Sequence, residues 1–234
     1  SVGIGYKSLS VNSGKNNTSI GSYSLFSNTT GYNNTANGFT SLYKNTSGYS
    51  NTAAGYASLG SNTTGYENTA NGYLSLSNNT TGYQNTANGI YSLYKNTGGT
   101  YNTATGFASL CFNTTGNSNV ANGVQALYSN TEGNFNTAIG SNSLYFNTTG
   151  YYNTATGINS LRSNTTGYVN LANGAYALYS NTTGYYNTAI GNNALYKNTK
   201  GKGNIALGQE AGSQTTGSNN IEIGNMGLAG DSGT

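Results

Sequence analysis

Residues 31–47 read GYNNTANGFTSLYKNTS, and residues 48–64 read GYSNTAAGYASLGSNTT. Set one above the other without a gap, the two stretches share their glycines, Asn-Thr-Ala, Ser-Leu and Asn-Thr. The unit is 17 residues long and it continues in both directions. Glycine recurs at Gly14, Gly31, Gly48, Gly65, Gly82, Gly99, Gly116, Gly133, Gly150, Gly167, Gly184 and Gly201, and a second glycine column runs seven residues behind it from Gly21 to Gly208. The consensus is G-Y-x-N-T-A-x-G-x-x-S-L-Y-x-N-T-T, in twelve units with no insertion or deletion. Independent loops tolerate length changes, whereas a stacked coil must close on the same perimeter at every turn.

Seventeen residues cannot hold two helices and a turn, and each half-unit between glycines is shorter than a stable helix. The N-T-A-x and x-S-L-Y stretches are instead strand-sized and bounded by Gly or by N-T-T, which are turn residues. The predicted fold is therefore all-β: a parallel β-roll or flattened β-helix, a solenoid with two short strands per 17-residue coil, its coils stacked about 4.8 Å apart. Residues 1–13 form a partial, irregular coil, 14–208 the twelve-coil solenoid and 209–234 an irregular C-terminal transition segment. Register slips at both ends: Gly5 to Gly14 and Gly208 to Gly217 each span nine residues where ten is standard. Ends of a solenoid need atypical units to close the stack.

Substitutions between units act as an internal experiment. The Thr of N-T-A, as in Thr35, Thr52, Thr69 and Thr86, is replaced by Val120, Leu171 and Ile205, which predicts an inward, apolar-tolerant column. Its neighbour is Ala from Ala36 to Ala206, with Ser19 in the first unit, so something packs closely there. The core ladder is Leu25, Leu42, Leu59, Leu76, Leu93, Leu110, Leu127, Leu144, Leu161, Leu178 and Leu195, while neighbouring positions such as Lys44, Ser61, Asn78 and Arg162 vary and face water. Two Asn columns are as regular: Asn28, Asn45, Asn62, Asn79 and Asn96 onward to Asn198, and Asn17, Asn34, Asn51 onward to Asn204. Identical amides at the coil spacing can bond one to the next as a ladder, or each can bond its own turn, since Asn tolerates left-handed backbone. The Asn-Gly pairs at Asn37, Asn71, Asn88, Asn122 and Asn173 mark tight turns.

Composition narrows the chemistry. Among 234 residues there are 41 Asn, 35 Gly and 34 Thr, only 6% charged residues, and no His, Pro or Trp. Without His, and with five Asp plus Glu in all, the usual general bases and metal ligands are missing, so neither an enzyme nor a cofactor is expected. A calcium-dependent roll would need Asp at fixed repeat positions, and the unit has none. The net charge of +3 forms no basic cluster for nucleic acid, and no apolar run is long enough to insert into a membrane. Abundant N-x-T sequons follow from composition alone. Cys111, the single cysteine, reads as a small buried hydrophobe.

Twenty-two Tyr and six Phe are what such a composition does not explain. They fall in columns: Phe39, Tyr56, Tyr73 and Phe107 in one, Tyr43, Tyr94, Tyr128 and Tyr179 in another, Tyr32, Tyr49, Tyr66 and Tyr83 in a third. Outward aromatic stripes call for a partner surface, and a parallel homotrimer is the natural closed assembly for a rod-like unit. The same rings, with Asn and Thr beside them, also suit a carbohydrate or cell-surface receptor.

Segments such as NTAIG at 136–140 and 187–191, NIALG at 204–208 and IGNNALY at 190–196 resemble the head repeats of trimeric autotransporter adhesins. That resemblance implies a left-handed parallel β-roll in a trimer. The unit here is longer than in those heads, the extra residues lying around N-T-T, so corner geometry does not transfer. The chain end, GSNNIEIGNMGLAGDSGT at 217–234, resembles the segment preceding the self-cleaving intramolecular chaperone of phage tail fibres and related bacterial fibre proteins. No protease residue of such a chaperone lies in this sequence. The resemblance implies an extracellular, cell-surface or virion fibre: a non-enzymatic shaft or head for attachment and receptor recognition. An alternative is an ice-binding or surface-templating solenoid, for which the unbroken Thr column Thr29, Thr46, Thr63 to Thr199 is the relevant feature. Against that alternative, the N-T-A threonines read as buried and the N-T-T ones as corner residues.

Overall fold

The computed structural model describes residues 1–224, in two compact units, 1–117 and the part of 118–234 that is described. The first unit contains β1 (Val2–Ile4), β2 (Thr18–Ile20), β3 (Thr35–Asn37), β4 (Thr52–Ala54), β5 (Thr69–Asn71), β6 (Thr86–Asn88) and β7 (Thr103–Thr105). The second contains β8 (Val120–Asn122), β9 (Thr137–Ile139), β10 (Thr154–Thr156), β11 (Leu171–Asn173), β12 (Thr188–Ile190), β13 (Ile205–Leu207) and β14 (Ile221–Ile223). Within each unit every strand pairs in parallel with the next in sequence, Thr35 opposite Thr52 and Ala36 opposite Ala53. The chain is thus an all-β parallel solenoid of 17-residue coils. The short end coils still pair, Val2 with Thr18 and Ile205 with Ile221. Of the C-terminal segment 209–234, residues 209–224 therefore continue the stack, and residues 225–234 lie outside the described residues.

Two stretches of each coil pair with the neighbouring coil, and they do so with different backbones. N-T-A is extended strand. In the S-L-Y stretch the Leu42 amide donates to the Ser58 carbonyl at 3.0 Å and the Lys44 amide to the Gly60 carbonyl at 3.0 Å. Here Thr40 and Leu42 sit at φ 53° and 50°, flanking Ser41 in alternation, so this second strand-like stretch winds through left-handed residues. A third left-handed residue follows the Gly-Tyr pair, as at Asn33 with φ 55°. Side chains other than Gly lose about 1–2 kcal/mol per residue in this region. The inter-coil hydrogen bonds hold them there. At the N-T-T corner three successive amides, those of Thr46, Ser47 and Gly48, converge on the Thr63 carbonyl at 3.0 to 3.2 Å. Proline would delete a donor at either of the first two positions, and the chain has none.

The strand pattern is outward, inward, outward: Ala is fully buried and both flanking residues face away from the interior. The Thr column therefore does not point inward, which corrects the sequence expectation. Val120, Leu171 and Ile205, its apolar members, are 39%, 37% and 39% exposed. The reason is the thinness of the coil. The Leu ladder and two Asn columns fill the space opposite the strand, leaving room for Ala in most coils, for Ser19 in β2, and for Glu222 in β14, which lies beside Gly212. Thr, Val and Ile suit an exposed strand position as well as a buried one, because both reward β-branching.

Both Asn columns are interior. Asn62 donates Nδ2 to Asn45 Oδ1 at 2.8 Å and to the Gly65 carbonyl at 2.9 Å, and its own Oδ1 accepts from Asn79 Nδ2 at 2.8 Å. In the other column the Asn51 backbone amide and Nδ2 both bond Asn34 Oδ1, at 3.0 and 3.1 Å, while Nδ2 also reaches the Gly65 carbonyl at 2.9 Å. The Asn side chains thus form ladders and brace their own turns at once. Among the described residues no buried side-chain polar atom is left without a partner. A core this polar is stable only because every amide is used.

Val169 marks a place where the sequence works against this backbone. It occupies the left-handed position after Gly-Tyr at φ 53°, β-branched and largely at the surface, in a column where Asn16, Asn33 and Gly203 also stand. Val169→Asn is expected to raise stability by about 1 kcal/mol, read as a higher denaturant midpoint at unchanged slope.

Candidate functional site

The outward residues that repeat most regularly are aromatic, and coil stacking sets their geometry. Tyr32, Tyr49, Tyr66 and Tyr83 form one column with ring centroids 5.0, 4.8 and 4.7 Å apart and planes within 5° of parallel. Tyr151, Tyr168 and Tyr185 repeat the arrangement in the second unit at 5.0 and 4.8 Å. Each ring covers its neighbour's face, so these ladders present edges and hydroxyls to solvent. The Tyr49 phenol is held above the ordinary value by desolvation in the ladder, and further by Tyr66, Tyr32 and Glu67. Tyr168 is raised likewise by desolvation and by Tyr185, Tyr186 and Tyr151.

The other predicted column is broken. Tyr43 stacks on Phe26 at 5.3 Å, and Gly60 follows it. Tyr94 meets Tyr91 edge-on at 5.5 Å with Lys95 Nζ 5.0 Å from its ring. Tyr128 stacks on Tyr145 at 4.9 Å, and Tyr179 on Tyr196 at 5.1 Å. Between the last two pairs the Arg162 guanidinium takes the place of a ring, 5.3 Å from Tyr145 and 5.9 Å from Tyr179. A planar cation thus fills a gap that a coil without an aromatic would leave.

A third column, Phe39, Tyr56 and Tyr73, lies just past the strand with spacings of 5.5 and 5.1 Å, and its members are nearly half exposed. On the other side of the strand Tyr101 is exposed in the first unit, and in the second Phe135 stacks on Tyr152 at 4.9 Å with Tyr186 two coils on. Exposed aromatic residues therefore flank the outer strand face in each unit. On that face the N-T-A threonines are solvent-facing. The N-T-T threonines are occupied, as Thr46 Oγ1 donating to the Thr63 carbonyl at 3.0 Å shows.

Recesses occur where aromatic columns stop or are interrupted, as at Val169 between Tyr152 and Tyr186. One of about 400 Å3 lies over Tyr32, beside Lys15, Asn16 and Asn33. Another of about 490 Å3 lies over Tyr196, beside Glu210, Asn192, Asn193 and Gln214. Sequence reasoning passed over these polar residues because they stand at positions that vary from coil to coil, as Asn142 and Asn159 do in the Asn193 column; the visible signal was an acid, Glu210, at the end of that column.

Cys111 is buried, and burial pushes its thiol up to about 11, partly opposed by the Lys95 charge. At pH 8 about one thiol in a thousand is then ionised. Iodoacetamide at that pH is expected to leave the folded chain unmodified and to label it fully in denaturant, as read by intact mass. Among the described residues no group of three or more His, Cys, Asp or Glu could hold a metal ion, and no helix is long and apolar enough to cross a membrane.

Comparison with family models, with curated proteins and with solved structures returns no match for this chain.

Proposed function

We propose that this chain is a non-enzymatic segment of an extracellular or virion fibre, a homotrimeric shaft or head that attaches to a cell surface through a carbohydrate receptor. The supporting observation is the distribution of aromatic surface. The interior spends its polar groups on itself, while Phe39, Tyr56, Tyr73, Phe135, Tyr152 and Tyr186 stand exposed in ridges along a surface almost devoid of charge. Ridges of stacked rings offer long, straight, amphipathic edges suited to packing between parallel copies of the same chain. Ring faces, which are what a sugar stacks on, become available where a column ends or is interrupted. Subunit packing thus uses the ladder edges, and recognition uses the ladder ends.

Sedimentation at micromolar concentration is expected to give a trimer; a monomer would end the assembly part of the proposal. A glycan array probed with the assembled protein is expected to return a defined set of neutral glycans. A blank array leaves a spacer.

A second reading gains one specific support from the outward Thr column. Thr35, Thr52, Thr69, Thr86 and Thr103 stand in register on the outer strand face, Thr69 and Thr86 half-buried and the others exposed. Such a rank at about 4.8 Å spacing is what a surface-templating or ice-binding solenoid requires. The companion outward column is mixed, with Asn37, Ala54, Asn71, Asn88 and Thr105, which breaks the two-rank regularity a lattice needs. Thermal hysteresis in the freezing of a protein solution would favour this reading over the fibre.

A further inference from the structure

We propose that the recess over Tyr196 is a carbohydrate subsite, in which a neutral pyranose stacks on the Tyr196 ring while Glu210, Asn193 and Gln214 hold its hydroxyls. The proposal rests on reading the chain as a receptor-binding fibre and assigns that recognition a place and a ligand class.

The column beneath is a run of planes: Tyr128, Tyr145, the Arg162 guanidinium, Tyr179 and Tyr196. The next coil supplies Ser213, so the run of planes stops at Tyr196, which is half-buried and lines the recess. Arg162 demonstrates that a flat group other than a side-chain ring can occupy a step of this column. A pyranose, whose axial C–H bonds form an apolar face, suits the last step in the same way, adding the stacking that Ser213 cannot.

The groups around the recess are those a sugar needs. Asn193 and Glu210 succeed Tyr176 in the adjacent column, and among the described residues their side chains have no hydrogen-bond partner. A carboxylate accepts from two vicinal hydroxyls, and a primary amide both donates and accepts. Gln214 is already oriented: Lys197 Nζ donates to its Oε1 at 2.6 Å, which leaves Nε2 to donate into the recess. The recess, about 490 Å3 and open to solvent, leaves room for a terminal sugar with its linkage pointing outward. The Glu210 carboxylate disfavours an acidic sugar there.

The test is saturation-transfer difference NMR on the full chain with cellobiose, lactose and maltose as separate probes. At least one is expected to receive saturation at its ring protons from the unmodified chain. Tyr196→Phe should retain that signal, Tyr196→Ala should weaken binding about tenfold, and Glu210→Gln about fivefold. The site is overturned if none of the three disaccharides receives saturation, or if Tyr196→Ala binds as the unmodified chain does. It is likewise overturned if Tyr196→Ala dissociates the assembly while disaccharide signals persist, since the recess would then be a subunit contact. Should Tyr196→Ala fail to fold, Glu210→Gln decides, and unchanged binding there rejects the site. A glycan array separates the two levels. Array binding that survives both substitutions keeps the fibre reading and removes this site, whereas a blank array with disaccharide signals intact does the reverse.

Discussion

Gly65→Ala is expected to destabilise the first unit by more than about 4 kcal/mol, an effect beyond that of ordinary point substitutions. The backbone conformation is not the cause. An added Cβ would fall on Asn62 Oδ1 and the Gly82 carbonyl oxygen, and within 2.8 Å of Asn79 Nδ2. Those atoms belong to the amide ladder and to the next coil's backbone, so neither can yield without opening the stack. Gly60→Ala is the control. Its Cβ would lie 3.1 Å from the Ala57 carbonyl oxygen and 3.7 Å from that of Thr40, in a column where other coils carry Tyr. That change is expected to cost less than about 1 kcal/mol. Denaturant unfolding compares the two, and hydrogen exchange locates the damage to the coils on either side of Gly65. Equal midpoints for both variants would refute the close-approach argument.

Asn62→Ala carries the second large effect, about 3–5 kcal/mol. The substitution removes the donor to Asn45 Oδ1 and to the Gly65 carbonyl, and it takes the Asn62 acceptor from Asn79 Nδ2. The Gly65 carbonyl keeps Asn51 Nδ2 and Asn79 Nδ2 keeps the Gly82 carbonyl, whereas the buried Asn45 Oδ1 loses its donor and water does not replace it, and the vacated side-chain volume adds a cavity to that desolvation cost. Asn62→Asp is no remedy, since it keeps the acceptor, deletes the donor and brings a charge into the interior. Asn78→Ala, at a varied position outside the Leu and Asn ladders, should change stability by less than about 0.5 kcal/mol. The contrast between Asn62 and Asn78, measured under identical conditions, separates the ladder from a general preference for Asn in turns.

Legibility from sequence differed by column. Leu42, Ala36 and the two Asn columns were readable as interior or structural because nothing replaces them over many coils, and invariance inside one chain marks a position whose surroundings are themselves invariant. Thr35 and its column misled. Substitution by Val, Leu and Ile looks like a core signal, yet the side chain points outward. The left-handed backbone at Leu42 was hidden for a different reason. Leu carries no turn signature, and its conformation is imposed by hydrogen bonds to the Ser58 and Gly60 carbonyls one coil away, not by local preference. Recognition residues were hardest to see. Tyr32, Tyr49, Tyr66 and Tyr83 were found as a column, but a string of letters does not tell which ring faces are covered.

The sequence by itself determined the coil: its 17-residue perimeter, its parallel stacking, its turns at Gly and N-T-T, and the Leu and Asn columns that every coil repeats. These follow from periodicity, because a stack can repeat only what closes at each turn. The tertiary structure alone decided which way each outward or inward choice fell. Interior volume, set by Leu42 and its ladder together with the buried amides, leaves space for Ala36 and none for Thr35, and the coil spacing lays Tyr rings face to face until a column ends. Side-chain direction and ring exposure depend on distances between coils, and those distances are properties of the stack that no single repeat contains.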